Sequence, residues 1–166
     1  QIGVSWDLQS ITNKGLNIEM DRGILNASFT FSSGTGFGEI NETWSSSGVI
    51  SPGSSGVFDL QSAEQVYINA TGTKSFDKIK SVFISNTTPV SGGYISINVT
   101  ANSGNASGLF GYTTSNLRLP PLSALVLCYP DSGITIWPGA NVIQLDSVDD
   151  VGQDMSYSMN MMGIKT

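Results

Sequence analysis

Leu117-Arg118-Leu119-Pro120-Pro121 runs into the apolar stretch Ala124-Leu125-Val126-Leu127-Cys128-Tyr129, and Pro130-Asp131-Ser132-Gly133 follows as a turn. Next come Ile134-Thr135-Ile136-Trp137, Val142-Ile143-Gln144-Leu145 and the closing run Met155-Ser156-Tyr157-Ser158-Met159-Asn160-Met161-Met162-Gly163-Ile164. Short apolar or alternating runs separated by Pro, Gly and Asp, with no helical period between them, predict strands of an antiparallel β-sandwich.

The same reading extends upstream. Residues 3–8 alternate apolar and polar, and 24–31 place Leu25, Ala27, Phe29 and Phe31 on one face. Gly34-Thr35-Gly36-Phe37-Gly38 reads as a hairpin turn: it is glycine-rich, but no helix follows to aim its N-terminus at a phosphate. Strands are expected at 39–44, 57–60, 66–71 and 94–100. Residues 45–56 read as a Ser/Gly-rich loop around Ser51-Pro52-Gly53, and 62–65 as one short helical turn. The segment 76–86 is a strand in which Ile79 and Phe83 fall on a different register from Val82 and Ile84. That segment is therefore expected to be buried on both faces or bulged. In all, ten to twelve strands are expected in one domain spanning 1–166, an all-β, jelly-roll-like sandwich.

Composition narrows the function. Only 12% of residues are charged, about half the ordinary share. The surface must then be largely Ser, Thr, Asn and Gly, which suits extracellular proteins, virions and subunits packed against other subunits. The net charge is −6, and the seven basic residues form no stripe able to displace phosphate counterions, so nucleic acid is not an expected partner. No apolar run is long enough for a helical membrane span.

The chain contains no histidine, which rules out Ser-His-Asp and Cys-His nucleophile arrangements within it. Carboxylates such as Glu39, Glu42, Asp59 and Asp77 sit mostly at strand ends and turns, so no catalytic residue, cofactor or metal site is assigned. The densest acidic cluster, Asp146, Asp149, Asp150 and Asp154, lacks the calcium-loop spacing and reads as a solvated turn. The single cysteine, Cys128, lies in an apolar run and is expected to be a buried, inert thiol. Trp6, Trp44 and Trp137 could stack on sugars or anchor an interface, but core or rim packing is the ordinary role. Six Asn-x-Ser/Thr sequons occur, at Asn26, Asn41, Asn69, Asn86, Asn98 and Asn105. In a chain this rich in Ser and Thr several arise by chance, and Asn26, Asn69 and Asn98 lie within expected strands.

From Lys78 onward the chain resembles β-sandwich structural proteins of tailed-bacteriophage virions. The resemblance rests on Lys78-Ile79-Lys80-x-x-x-Ile84-x-Asn86, on Leu117-Arg118-Leu119-Pro120-Pro121 leading to Tyr129-Pro130, on the Gly133 turn, on residues 142–145 and on Ser158-Met159-Asn160-Met161-Met162-Gly163. Phe58-Asp59-Leu60 is similar to a segment that precedes this block in such proteins. The resemblance implies a capsid decoration or cement protein on the outer surface of the virion. Its partner would be the major capsid protein, contacted through loops and edge strands, with self-association as a trimer. No catalytic residue carries over. Two other expectations stand beside it: a receptor-binding or fibre module for host glycans, and a secreted cell-surface adhesin domain.

Overall fold

A computed structural model describes residues 2–4, 10–14, 17–21, 29–60, 63–66, 71–89, 92–98, 104–105, 116–129, 131–136, 140–149 and 152–166. Among them there is no helix, and seventeen strands are present. In chain order these begin with β1 (Ile2–Val4), β2 (Ser10–Lys14), β3 (Asn17–Asp21), β4 (Phe29–Ser33), β5 (Glu39–Ile40) and β6 (Glu42–Ile50). They continue as β7 (Ser55–Asp59), β8 (Ala63–Val66), β9 (Thr71–Lys74), β10 (Lys78–Asn86), β11 (Gly93–Asn98) and β12 (Gly104–Asn105). The last are β13 (Asn116–Leu119), β14 (Ser123–Cys128), β15 (Ile134–Thr135), β16 (Ala140–Asp149) and β17 (Met155–Ile164).

Eight of these form the sandwich. One sheet has the order β14-β10-β17-β6, and the other has β13-β11-β16 with β7 on β16. The pairing follows a simple rule. β6, β7, β10 and β11 form one arm of a long antiparallel hairpin, and β13, β14, β16 and β17 form the returning arm. Along the hairpin β11 pairs β13, β10 pairs β14, β7 pairs β16 and β6 pairs β17. Rolling the hairpin up then sets β17 beside β10 and β16 beside β11. This is jelly-roll topology, two interlocked Greek keys. The short β15 adds to the first sheet on β10 and β12 to the second on β16, while the three-stranded sheet β1-β4-β5 and the strand pairs β2–β3 and β8–β9 lie outside this framework.

Alternation along the strands explains why the sheets stack. Val82 and Ile84 on β10 stand opposite Met161 and Met159 on β17, and Met161 stands opposite Trp44 on β6. Facing them from the other sheet are Ile95, Ile97, Ile143, Leu145 and Leu119, and all are buried in one apolar cluster. Trp44 on the first sheet meets Phe58 on the second edge to face, with centroids 5.7 Å apart. Phe58 in turn meets Tyr157 at 5.5 Å. Asn86, buried at the end of β10, donates from Nδ2 to the Leu119 carbonyl at 2.9 Å and so stitches one sheet to the other.

Several expectations need correction. Residues 45–50 are not loop but belong to β6, because β17 pairs with that strand along its length; the turn is confined to 51–54. Serines there replaced the apolar signal, since Ser45 and Ser47 face outward. Ala63–Val66 is a strand, not a helical turn. Asp146–Asp149 is not a turn either: it continues β16, where Leu145 and Ser147 point inward and Asp146 points out. The strand count exceeds the expected ten to twelve. The centre of the strand expected at 66–71 lies outside the described residues.

Ile84 is fully buried on the strand that is paired on both sides. Ile84→Ala should therefore cost about 3 kcal/mol in chemical denaturation, whereas Val49→Ala, at 59% exposure, should cost under about 0.5 kcal/mol.

Candidate interaction surfaces

The most constructed feature of the surface starts at an irregularity in β10. Ile79 pairs with Gly163 and Ser81 with Met162, so Lys80 is an extra residue with no partner on β17, a β-bulge. The bulge turns the Lys80 side chain away from the alternation of the strand and into the protein, where it is 1% exposed. Its ammonium donates to the Gly36 carbonyl at 2.8 Å and to the Asp131 carbonyl. Burial pushes its pKa down, while the nearby Asp131 and Glu39 carboxylates oppose that shift. A buried cation is costly unless its donors are satisfied. Here it fastens two loops to the central strand.

One of those loops is 34–38, which joins β4 to β5. Its backbone closes on itself through Ser32 N–H to Gly38 O at 2.9 Å and Gly34 N–H to Ile40 O at 3.0 Å. The Glu39 carboxylate accepts the Gly36 N–H at 2.7 Å. Gly34 has φ +150°, and a Cβ there would lie 2.2 Å from Glu39 Oε2, so only glycine fits. At the tip stands Phe37, 77% exposed. The other loop reaches Gly133, which has φ +71° and where a Cβ would lie 2.9 Å from the Ile79 carbonyl oxygen, so glycine is required there too.

A second exposed apolar tip lies at the corner between β13 and β14. Leu122 is 76% exposed and is the one non-glycine residue with positive φ among the described residues, at 57°. Ser123 donates from both its N–H and its hydroxyl to the Pro120 carbonyl, holding the corner closed.

The outward face of the second sheet carries a polar row beside exposed apolar residues such as Val57. Arg118, Ser96, Asp146 and Ser55 stand in one row across β13, β11, β16 and β7. The Asp146 carboxylate accepts the Ser55 hydroxyl at 2.5 Å and the Gln144 amide at 2.7 Å. The Arg118 guanidinium lies over the Tyr94 ring, 4.8 Å from its centroid.

The residues singled out from sequence fall as follows. Asp146 is held by Ser55 and Gln144. Asp154 is exposed, Asp150 and the Asp149 side chain lie outside the described residues, and no metal-holding carboxylate group occurs among the described residues. Cys128 is half-buried rather than buried, opposite Ser81; burial pushes its thiol pKa up and a Ser81 hydrogen bond works the other way. Trp44 is core, 4% exposed, with Nε1 unpartnered; Trp6 and Trp137 lie outside the described residues.

Of the sequons, Asn86 is 1% exposed and its side chain is engaged with Leu119 and Thr88, so the folded chain cannot present it for glycosylation. The Asn41 amide closes a two-bond ring with the Lys165 backbone. Asn98 is half-buried; Asn26, Asn69 and the Asn105 side chain lie outside the described residues. No family model matches the chain, and no curated protein matches it.

Two predictions follow from the fastenings. Lys80→Met should raise amide hydrogen exchange in loop 34–38 about tenfold, because a charge-assisted bond to Gly36 is lost. Unchanged exchange would mean the loop is held without the ammonium. Asp77 accepts Lys165 Nζ at 2.8 Å and the Thr166 N–H at 2.8 Å, which hold its carboxyl well below the ordinary 3.8. A depressed carboxylate pKa stabilises the fold above its unfolded value, and that gain is lost as pH falls. Melting temperature measured between about pH 5 and pH 2 should therefore fall less for Asp77→Asn than for wild type.

Proposed function

We propose that this chain is a structural protein of a phage virion, a capsid decoration or cement subunit that binds the outer shell through its loops. The observation that carries the reading is Phe37, 77% exposed on a loop fixed by a buried lysine, a carboxylate and its own backbone. A loop backbone already fixed in the free protein loses less ordering entropy on binding, which suits the presentation of an aromatic anchor. No Lys or Arg occurs between Phe29 and Glu42, so an anionic membrane is a poor match for that tip and an apolar pocket on a protein is a good one. The jelly roll, a fold of capsid and lectin domains, and the low charge of the chain are in keeping with a subunit in a protein shell. The major capsid protein is the proposed partner, and the virion surface the proposed location.

A second reading, glycan recognition, draws on the outward face of the second sheet, which carries Tyr94, Gln144 and Asp146. It is the weaker one, because Arg118 already occupies a face of the Tyr94 ring that a sugar would stack on. A glycan array with a binder lost in Asp146→Ala would reverse that order.

Particles lacking the chain should release their genome at lower temperature than complete particles, and added chain should restore the difference. Phe37→Ser should leave the melting temperature of the chain unchanged while weakening particle binding at least about tenfold. Identical heat release with and without the chain would end the cement reading.

A further inference from the structure

Among the described residues β14 is an edge strand. Its inner side pairs with β10 through six residues in unbroken register, and among the described residues no strand bonds its far side. Natural edges are blunted by charge, proline, bulges or cover. Ser123-Ala124-Leu125-Val126-Leu127-Cys128 has none of these: no charged residue, no proline and no register shift. Every one of its side chains is at least partly exposed. The other edges differ. β6 has β8 lying against it, β13 carries Arg118 and runs into Pro120, and β7 carries Asp59.

The sheet face beside this edge is also unusual. Outward positions on β6, β17, β10 and β14 are Thr43, Ser45, Ser47 and Val49, then Ser156, Ser158, Asn160 and Met162, then Ser81, Phe83 and Ser85, and then Ala124, Val126 and Cys128. None is charged. Apart from Val49 on the far edge strand β6, the apolar members lie toward β14: Phe83 stands opposite Val126, and Ser81 stands between Cys128 and Met162. A solvated antiparallel face ordinarily alternates to polar residues, so an apolar strip ending at a bare edge points to cover by protein.

We propose that β14 pairs antiparallel with β14 of a second copy across a two-fold axis through Val126, joining the two sheets edge to edge. Antiparallel pairing of a strand with itself is automatically two-fold and isologous. A register centred on Val126 sets Ala124 opposite Cys128 and Leu125 opposite Leu127. Outward side chains then meet outward ones, inward meet inward, and each pair is apolar or small. It also keeps the ladder clear of the Pro120-Pro121-Leu122 corner. Two copies with net charge −6 each can approach here because no carboxylate lies on the edge. The pairing does not depend on the virion reading, and it gives a dimer where the resemblance implied a trimer.

Sedimentation velocity of the full chain over a concentration series tests it. Wild type should sediment as a dimer. Val126→Lys, which sets two ammonium groups opposite each other, should raise the dissociation constant at least about tenfold with an unchanged melting temperature. In a Cys128→Ser background, Val126→Cys should form a disulfide-linked dimer on mild oxidation, and Asn160→Cys, exposed on the inner strand β17, should not. If Val126→Lys fails to fold, the cross-link decides. A monomer at every concentration, a dimer that survives Val126→Lys, a larger oligomer insensitive to it, or no Val126→Cys cross-link would each overturn the proposal.

Discussion

The fold turns on the pairing of β10 with β17. Every pairing between the two arms except β10–β17 and the β11–β16 pairing that accompanies it can be made by a flat hairpin that exposes its apolar side along its whole length. When β17 docks beside β10, with Val82 against Met161 and Ile84 against Met159, the hairpin must roll. Rolling brings the buried side chains of the two sheets together in one cluster. It is a long-range commitment, with about eighty residues between the partners, so loop closure comes before the reward of burial. The low charge of the chain suits that order of events, since few ionised groups have to be kept out of the closing interface.

The same strand also sets the surface. Its bulge supplies one residue outside the alternation, and that residue is a lysine whose ammonium has two loop carbonyls for partners. Core geometry is thereby transmitted to the Phe37 loop and to the turn at Asp131. At the opposite end of β10, Asn86 performs the corresponding service for the second sheet through the Leu119 carbonyl. A rigid frame with fixed apolar tips is how a small subunit binds a partner without a large ordering cost.

What could be read from the sequence divides along physical lines. β17, β10 and β11 were legible because alternation and long apolar runs mark strands wherever they occur. The Gly34–Gly38 turn was legible as a turn because glycine acts locally, but it is not the expected hairpin, since β4 and β5 on either side of it pair in parallel. Residues 45–50 were not, because outward serines in a paired strand look like loop serines, and the strand exists only through its ladder with β17. Asp146 looked like a turn carboxylate for the same reason. The disagreement of register around Ile79 did signal a bulge, yet nothing in the sequence could say that Lys80 would meet Gly36 and Asp131, which lie 44 and 51 residues away. The Phe37 tip was likewise invisible as a site: a lone phenylalanine between glycines says nothing of its exposure or its rigidity.

A cryo-EM reconstruction of the native particle that carries this chain tests the functional account most directly. The account predicts density for the jelly roll at symmetric sites on the outer shell, with the Phe37 loop seated in an apolar pocket of the major capsid protein. Density confined to a tail tip or fibre, or a particle shell with no such density, would contradict it.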